Sequence, residues 1–192
     1  MDRFGPLADE PQVMRSAVTT WLDDAPELDP APPGTRRDVM VGILVHRLFK
    51  SGRVLDSRDP EAQLTYARGL LQPEERAAPQ NLGTDNIDGI VTEAVETWRA
   101  MCAREDVGAL LTSGRLLHEA PFSLMTTHDG SPVVLRGTID CLIQKHDGSI
   151  VVLEFKTGRP RPSHQRQLDI YVEAARALFP GVAVEGRLIY AH

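Results

Sequence analysis

The chain reads as a mixed α/β (α+β) domain, with helices packed around a central mixed sheet of about four strands. Three observations predict it. Apolar residues recur with the helical period up to about Thr112 and with a period of two after Gly114. The predicted strands after Gly114 are separated by His128-Asp129-Gly130 and His146-Asp147-Gly148, short runs that suit tight turns between antiparallel neighbours. The chain then runs strand, helix, strand, a unit that closes as a right-handed crossover with parallel strands.

The elements follow in order. Gln12 to Leu22 has helical spacing, with Val13, Val18, Trp21 and Leu22 apolar. Pro26, Pro30, Pro32, Pro33 and Gly34 cannot continue that helix. Residues 1–34 are therefore read as an N-terminal helix with a Pro-rich linker, and residues 35–192 as the main domain. Arg36 to Lys50 is almost continuously apolar, which predicts a buried helix, and Gly42 and His46 share one of its faces. Asp59-Pro60 caps a helix to about Leu71. A polar loop is expected from Gln72 to Asn81. Thr84 or Asp85 then caps a long helix to about Arg104, and a short one covers Glu105 to Thr112. Strands are expected at Arg115–Thr127, Pro132–Gln144 and Ser149–Thr157. A helix from Ser163, its cap, to Phe179 and a strand from Val182 to Tyr190 complete the chain.

Composition narrows the function. The 192 residues fit one domain, or one with a helical annex, and 42% hydrophobic residues exclude wholesale disorder. No apolar run approaches the ~20 residues that cross a bilayer. Met1 to Glu10 lacks the basic and apolar regions of a secretory signal. With Cys102 and Cys141 alone, a disulfide framework, a four-Cys zinc site and a four-Cys iron–sulfur cluster are excluded by count. A reducing, cytoplasmic compartment is expected. A net charge of −6 argues against a surface that coats nucleic acid, though not against a nucleic-acid enzyme gripped through a partner domain. Only Lys50, Lys145 and Lys156 stand beside 18 arginines, so a retained lysine marks a place where guanidinium cannot substitute.

The chemistry concentrates in Asp140 and in Glu154-Phe155-Lys156. On the second strand Val133, Leu135, Ile139, Cys141 and Ile143 are expected on one face and Asp140 on the other; on the third, Glu154 and Lys156 lie opposite Val151, Leu153 and Phe155. A three-residue turn with Gly148 left-handed pairs Lys145 with Ser149 and sets Asp140 opposite Glu154, with Cβ atoms about 5 Å apart. Two carboxylates so close invite a divalent cation, with Mg²⁺ the natural candidate. Lys156 can orient the attacking water and offset phosphate charge. The same residues also suit a solvated sheet face. Against that, Glu154 interrupts a run that otherwise reads as buried, and buried charge needs a partner. Gln167 and Tyr171 share a face of the following helix. An imidazole at His46 could complete a metal shell, although a lone histidine on an apolar helix also serves as a hydrogen-bonded core residue. His164 lies near the same strand end, and Glu119 has the place of a residue bordering the site.

Five segments occur in order: Gly42-Ile43-Leu44-Val45-His46-Arg47-Leu48, Glu119-Ala120-Pro121-Phe122, Gly137-Thr138-Ile139-Asp140, Glu154-Phe155-Lys156-Thr157-Gly158 and Gln167-Leu168-Asp169-Ile170-Tyr171. Together they resemble the PD-(D/E)XK nucleases, and within them the C-terminal nuclease domain of RecB and AddA, which follows a UvrD/Rep-type helicase. The resemblance spans roughly Arg36 to Tyr190. It implies a restriction-endonuclease-like core, with metal ligation by His46, Asp140, Glu154 and the backbone carbonyl of Phe155. Lys156 would be the catalytic lysine, and Gln167 and Tyr171 would support the active site or the DNA strand. Glu154 stands where the nearest relatives often carry Asp. Relatives of the AddB and CRISPR-associated type hold an iron–sulfur cluster on four cysteines, which this chain lacks. No Walker A motif is present, so no helicase motor lies in this chain. The implied function is a Mg²⁺- or Mn²⁺-dependent DNA nuclease, exonucleolytic rather than site-specific, in double-strand-break repair and recombination. Its implied partners are DNA, a helicase motor in the same parent protein and a partner nuclease or helicase subunit, with no membrane. The rival readings are a catalytically weak nuclease-fold domain for DNA binding or scaffolding, and a carboxylate-pair enzyme such as a glycosidase, which needs neither Lys156 nor His46.

Overall fold

The computed structural model describes residues 14–23, 35–51, 59–76 and 87–191. The Pro-rich linker and the Thr84 and Asp85 caps lie outside them. The chain begins with β1 (Met14–Ala17) and α1 (Val18–Asp23), followed by α2 (Arg36–Ser51), α3 (Pro60–Gly69), α4 (Pro73–Arg76), α5 (Ile87–Ala103) and α6 (Glu105–Leu111). A meander of β2 (Gly114–His128), β3 (Ser131–Lys145) and β4 (Ile150–Lys156) leads into α7 (Pro162–Leu178) and β5 (Val184–Tyr190). No helix among the described residues is long and apolar enough to cross a membrane.

Local chemistry sets the helix ends. Thr35 and Asp38 exchange hydrogen bonds at the start of α2, the Thr35 N–H reaching Oδ2 of Asp38 at 2.7 Å and the Asp38 N–H reaching Oγ1 of Thr35 at 3.2 Å. Asp59 accepts from the Glu61 N–H at 2.9 Å ahead of Pro60. Arg47 of α2 forks onto Glu75 at 2.6 and 2.9 Å and also donates to the Leu70 carbonyl. That anchor turns part of the expected polar loop after Gln72 into α4. Arg37 ties α2 to Glu93 of α5 at 2.6 Å.

The sheet has five strands, one more than expected, because the N-terminal segment divides. Met14–Ala17 is a strand and the helix starts only at Val18. Its Cα partners are Val133 to Arg136 in a parallel ladder, a long-range pairing that local periodicity does not encode. β2 pairs antiparallel along the length of β3, from Gly114↔Lys145 to His128↔Ser131. β1 and β4 therefore share the other edge of β3, β1 at Val133–Arg136 and β4 at Cys141–Gln144. β5 runs parallel to β4, as the crossover rule requires. Two left-handed residues, Asp129 (φ 48°) and Gly130 (φ 77°), make the β2–β3 turn, so it is one residue shorter than expected.

The core has two parts, one on each side of the sheet. Helices α2, α3, α5 and α6 cover Cys141, Ile143, Val151, Leu153 and Phe155, while α1 and α7 cover Val133, Leu135, Ile139, Val152 and Ala120. The expectation that Val133 through Ile143 share one face is thus incorrect. Packing changes sides between Ile139 and Cys141, where Glu119 on the neighbouring strand has a left-handed φ of 52° and the Glu119–Asp140 pair drops out of the ladder. Helix α2 is also not buried all round: Val39 and Ile43 are 54% and 38% exposed. In α7 the buried stripe is Leu168, Tyr171, Val172, Ala174 and Ala175, with Leu178 exposed. Pro162 begins that helix, so its N-cap is Arg161 rather than Ser163.

Candidate active site

The turn after β3 forms as its sequence demands. Gly148 is left-handed at φ 85°, and the Lys145 N–H donates to the Ser149 carbonyl at 2.9 Å. The ladder then runs from Gln144↔Ile150 to Cys141↔Leu153 and stops. The next pair in this register is Asp140 and Glu154. Here the strands part, and the Asp140 side chain fills in for the missing ladder bond: its Oδ2 accepts the Phe155 N–H at 2.9 Å. In an antiparallel ladder a residue's N–H and C=O leave on the same side, so the Phe155 carbonyl also faces this opening.

Six side chains meet at the opening from four elements, α2, β3, β4 and α7. His46 of α2 brings Nδ1 to 3.1 Å from Oδ1 of Asp140. Lys156 donates to Oε1 of Glu154 and to Oε1 of Gln167, both at 2.8 Å. Gln167 in turn donates to the Tyr171 hydroxyl at 2.7 Å. The sequence-predicted residues are therefore brought together in two hydrogen-bonded groups, His46–Asp140–Phe155 N–H and Glu154–Lys156–Gln167–Tyr171, joined through the backbone of β4 at Phe155. Two supports hold this arrangement; the first had no sequence signal. The Phe155 ring stacks on Phe49 with centroids 3.9 Å apart and holds α2 against β4. Gly42 gives the same approach room, since a Cβ there would come within 3.1 Å of Oγ1 of Thr157. Glu119 pairs with Lys50 at 3.5 Å, and His164 meets the Tyr190 hydroxyl at 3.1 Å.

Electrostatics follow from burial. Glu154 is only 2% exposed, and burial together with the charge of Asp140 raises its carboxyl to about 7, against the pull of Lys156 and His46. Burial works to lower His46, but the hydrogen bond and charge of Asp140 and the charge of Glu154 outweigh it and raise the imidazole. Burial, seconded by Glu154, raises Tyr171, so its hydroxyl stays protonated. The second oxygen of Glu154, Oε2, is buried with no hydrogen-bond partner.

That orphaned oxygen is a ready test of whether a cation suits the site. A buried carboxylate oxygen left bare costs roughly 1–3 kcal/mol or more. Beside it stand a second carboxylate, an imidazole and a free-facing backbone carbonyl, a donor set that fits a hard divalent ion. Among the described residues no three His, Cys, Asp or Glu side chains already form a metal-holding group. Asp140 has both oxygens engaged and Lys156 takes one oxygen of Glu154, so loading requires these contacts to yield.

The profile of the PD-(D/E)XK nuclease superfamily matches residues 21–192. The chain is a member of the PD-(D/E)XK nuclease superfamily. Its mixed five-stranded sheet with helices on both sides is the restriction-endonuclease-like arrangement of that superfamily, and membership marks it as a domain of metal-dependent nuclease type. A search of the curated proteins found no match. Among solved structures, one titled "Crystal structure of SSO0001" is similar at 18% identity with a TM-score of 0.36, covering 90% of this chain and 69% of that one.

Proposed function

We propose that this chain hydrolyses phosphodiester bonds of DNA with Mg²⁺ or Mn²⁺, degrading from an end. The observation that carries the proposal is Oε2 of Glu154: buried, unpartnered and on the same side chain that Lys156 holds. A divalent ion held by Asp140, Glu154, His46 and the Phe155 carbonyl would supply positive charge against the phosphate and an activated water. The remaining work falls to the chain itself. Lys156 keeps an ammonium at the edge of the carboxylate pair, where it offsets charge on a phosphate oxygen and orients the attacking water. Gln167, fixed by Tyr171, holds that ammonium in place. Asp140 locks the backbone of Phe155, and with it the carbonyl. His46 sets the orientation of Asp140 from the helical side.

The RecB- and AddA-like order of the five motifs supports a wider setting: a nuclease domain joined to a helicase motor, working with a partner subunit in double-strand-break repair and recombination. The direct experiment compares end-labelled linear DNA with closed circles, single- and double-stranded, in Mg²⁺, in Mn²⁺ and with chelator. Loss of linear DNA alone, abolished by chelator, is expected. Cleavage of circles replaces the exonuclease with an endonuclease. Binding without any cleavage leaves a scaffold domain.

A further inference from the structure

The segment after Lys156 differs in charge from the rest of the chain. From Phe155 to Leu168 there is no Asp or Glu, in a chain that carries 27 of them, yet the same stretch holds Lys156, Arg159, Arg161 and Arg166. Arginines that anchor the fold elsewhere are matched to carboxylates: Arg37 to Glu93, Arg47 to Glu75, Arg68 to Asp88 and Arg104 to Asp106. Among the described residues, Arg159 and Arg166 have no such match.

Position ties both to the active site. Arg159 is exposed and lies three residues beyond Lys156, in the loop between β4 and α7. Arg166 immediately precedes Gln167, whose amide oxygen holds the Lys156 ammonium. The loop that carries Arg159 leads into α7, which carries Arg166 near its N-terminus, and the junction is fixed at both ends. Thr157 abuts α2 at Gly42, and His164 meets Tyr190 at the end of β5. Helix α7 has no side-chain cap bond at its N-terminus, so its positive end adds field of the same sign. Two unmatched guanidinium groups, one on this loop and one near the start of α7, in a stretch free of carboxylates, favour a polyanion beside Lys156.

We propose that Arg159 and Arg166 form a phosphate clamp that seats the nucleic-acid backbone beside Lys156; this rests on the nuclease reading above. A guanidinium matches a phosphate in bidentate fashion without reading the base, so the clamp fixes register and not sequence. It also explains how a chain of net charge −6 holds a polyanion at its cutting site: the grip is local and lies next to the chemistry.

The experiment is fluorescence anisotropy of labelled single-stranded and duplex oligonucleotides on the full chain in chelator, where no turnover occurs, across a salt series. Arg159→Ala and Arg166→Ala should each weaken binding about tenfold. Each should also reduce the log–log salt slope by about 0.7 for the single strand or about 0.9 for the duplex. Arg115→Ala removes one positive charge at the far end of β2, opposite Gln144, and should change neither quantity. In cleavage assays the clamp variants should raise KM by more than they lower kcat. Unchanged affinity and slope in both clamp variants, or an equal loss in Arg115→Ala, overturns the clamp even where wild type cleaves normally. Weakened binding in the clamp variants of a protein that never cleaves upholds the clamp and removes the nuclease reading.

Discussion

Replacing Glu154 by Gln should change how metal-free stability depends on pH. Glu154 has a carboxyl raised from 4.5 to about 7, chiefly by burial and then by Asp140. An acid with a raised folded-state value holds a proton in the native state that the unfolded chain has already released between pH 4.5 and 7. Stability must therefore fall as pH rises through that window. A shift of this size corresponds to about 3 kcal/mol at 1.36 kcal/mol per pH unit. Solvent screening does not discount it, because the side chain is 2% exposed. Gln mimics the protonated form, can still accept from Lys156 and cannot ionise, so the variant should lose this slope. His46 has a raised value, so its contribution is present below 6.5 and disappears as pH climbs through the folded value; Asp140, the larger cause of that rise, remains in both proteins, and the variant loses only the smaller part due to the Glu154 charge. The assay is urea denaturation in chelator from pH 4.5 to 8, read as the difference between wild type and Glu154→Gln. The variant should gain relative stability of order 3 kcal/mol at the upper end. Parallel curves would show that Glu154 is ionised freely in the native state, and the argument from its burial would collapse.

Three further outcomes follow from the same geometry. Asp140→Ala should abolish the rise in Tm that Mg²⁺ gives wild type, and equal metal-induced shifts in the two proteins would remove Asp140 from the ligand set. Phe49→Ala deletes the ring stacked on Phe155 and should cost about 3–5 kcal/mol in chemical denaturation, with activity falling further as α2 and His46 lose their seat; a cost below 1 kcal/mol would mean the stack does not hold α2. Gly137→Ala would set a Cβ within 2.8 Å of the Phe122 ring, which itself packs edge-on against Tyr171 at 5.3 Å. It should cost about 1–3 kcal/mol and slow cleavage through Tyr171 and Gln167; wild-type stability and rate together would disconnect Phe122 from the site.

Much of this is legible in the amino-acid sequence itself. The alternation of β3 and β4 and the turn glycine Gly148 determine the register that puts Asp140 next to Glu154, because a period-two element and a fixed turn leave one solution. Helical spacing likewise puts Gly42 and His46 on one face of α2, and the structure turns that face toward the sheet. The errors share a cause. β1 exists because β3 offers an open edge, a long-range fact with no local signature at Met14–Ala17. The change of packing side near Asp140 comes from left-handed Glu119, and nothing about a glutamate announces a positive φ. Val39 and Ile43 read as core because hydrophobicity alone does not say which side of a helix is covered. At the site the residues could be named, but not that Asp140 would cap the Phe155 backbone or that Glu154 would keep one oxygen bare. Those depend on the β3–β4 ladder ending at Cys141↔Leu153, one pair short of Asp140 and Glu154.

Lys156→Ala tests the account most directly. Its ammonium bridges Glu154 and Gln167 and is the group the chemistry needs beside the carboxylates, yet it holds no metal itself. Single-turnover cleavage of linear DNA in Mg²⁺ and in Mn²⁺, with calorimetry of the ion on the same samples, separates the two roles. The account predicts cleavage slowed by about 10² or more, ion binding retained, and poor rescue by Lys156→Arg, whose fork does not fit a point-charge position. Cleavage by Lys156→Ala at the wild-type rate in both ions would contradict it.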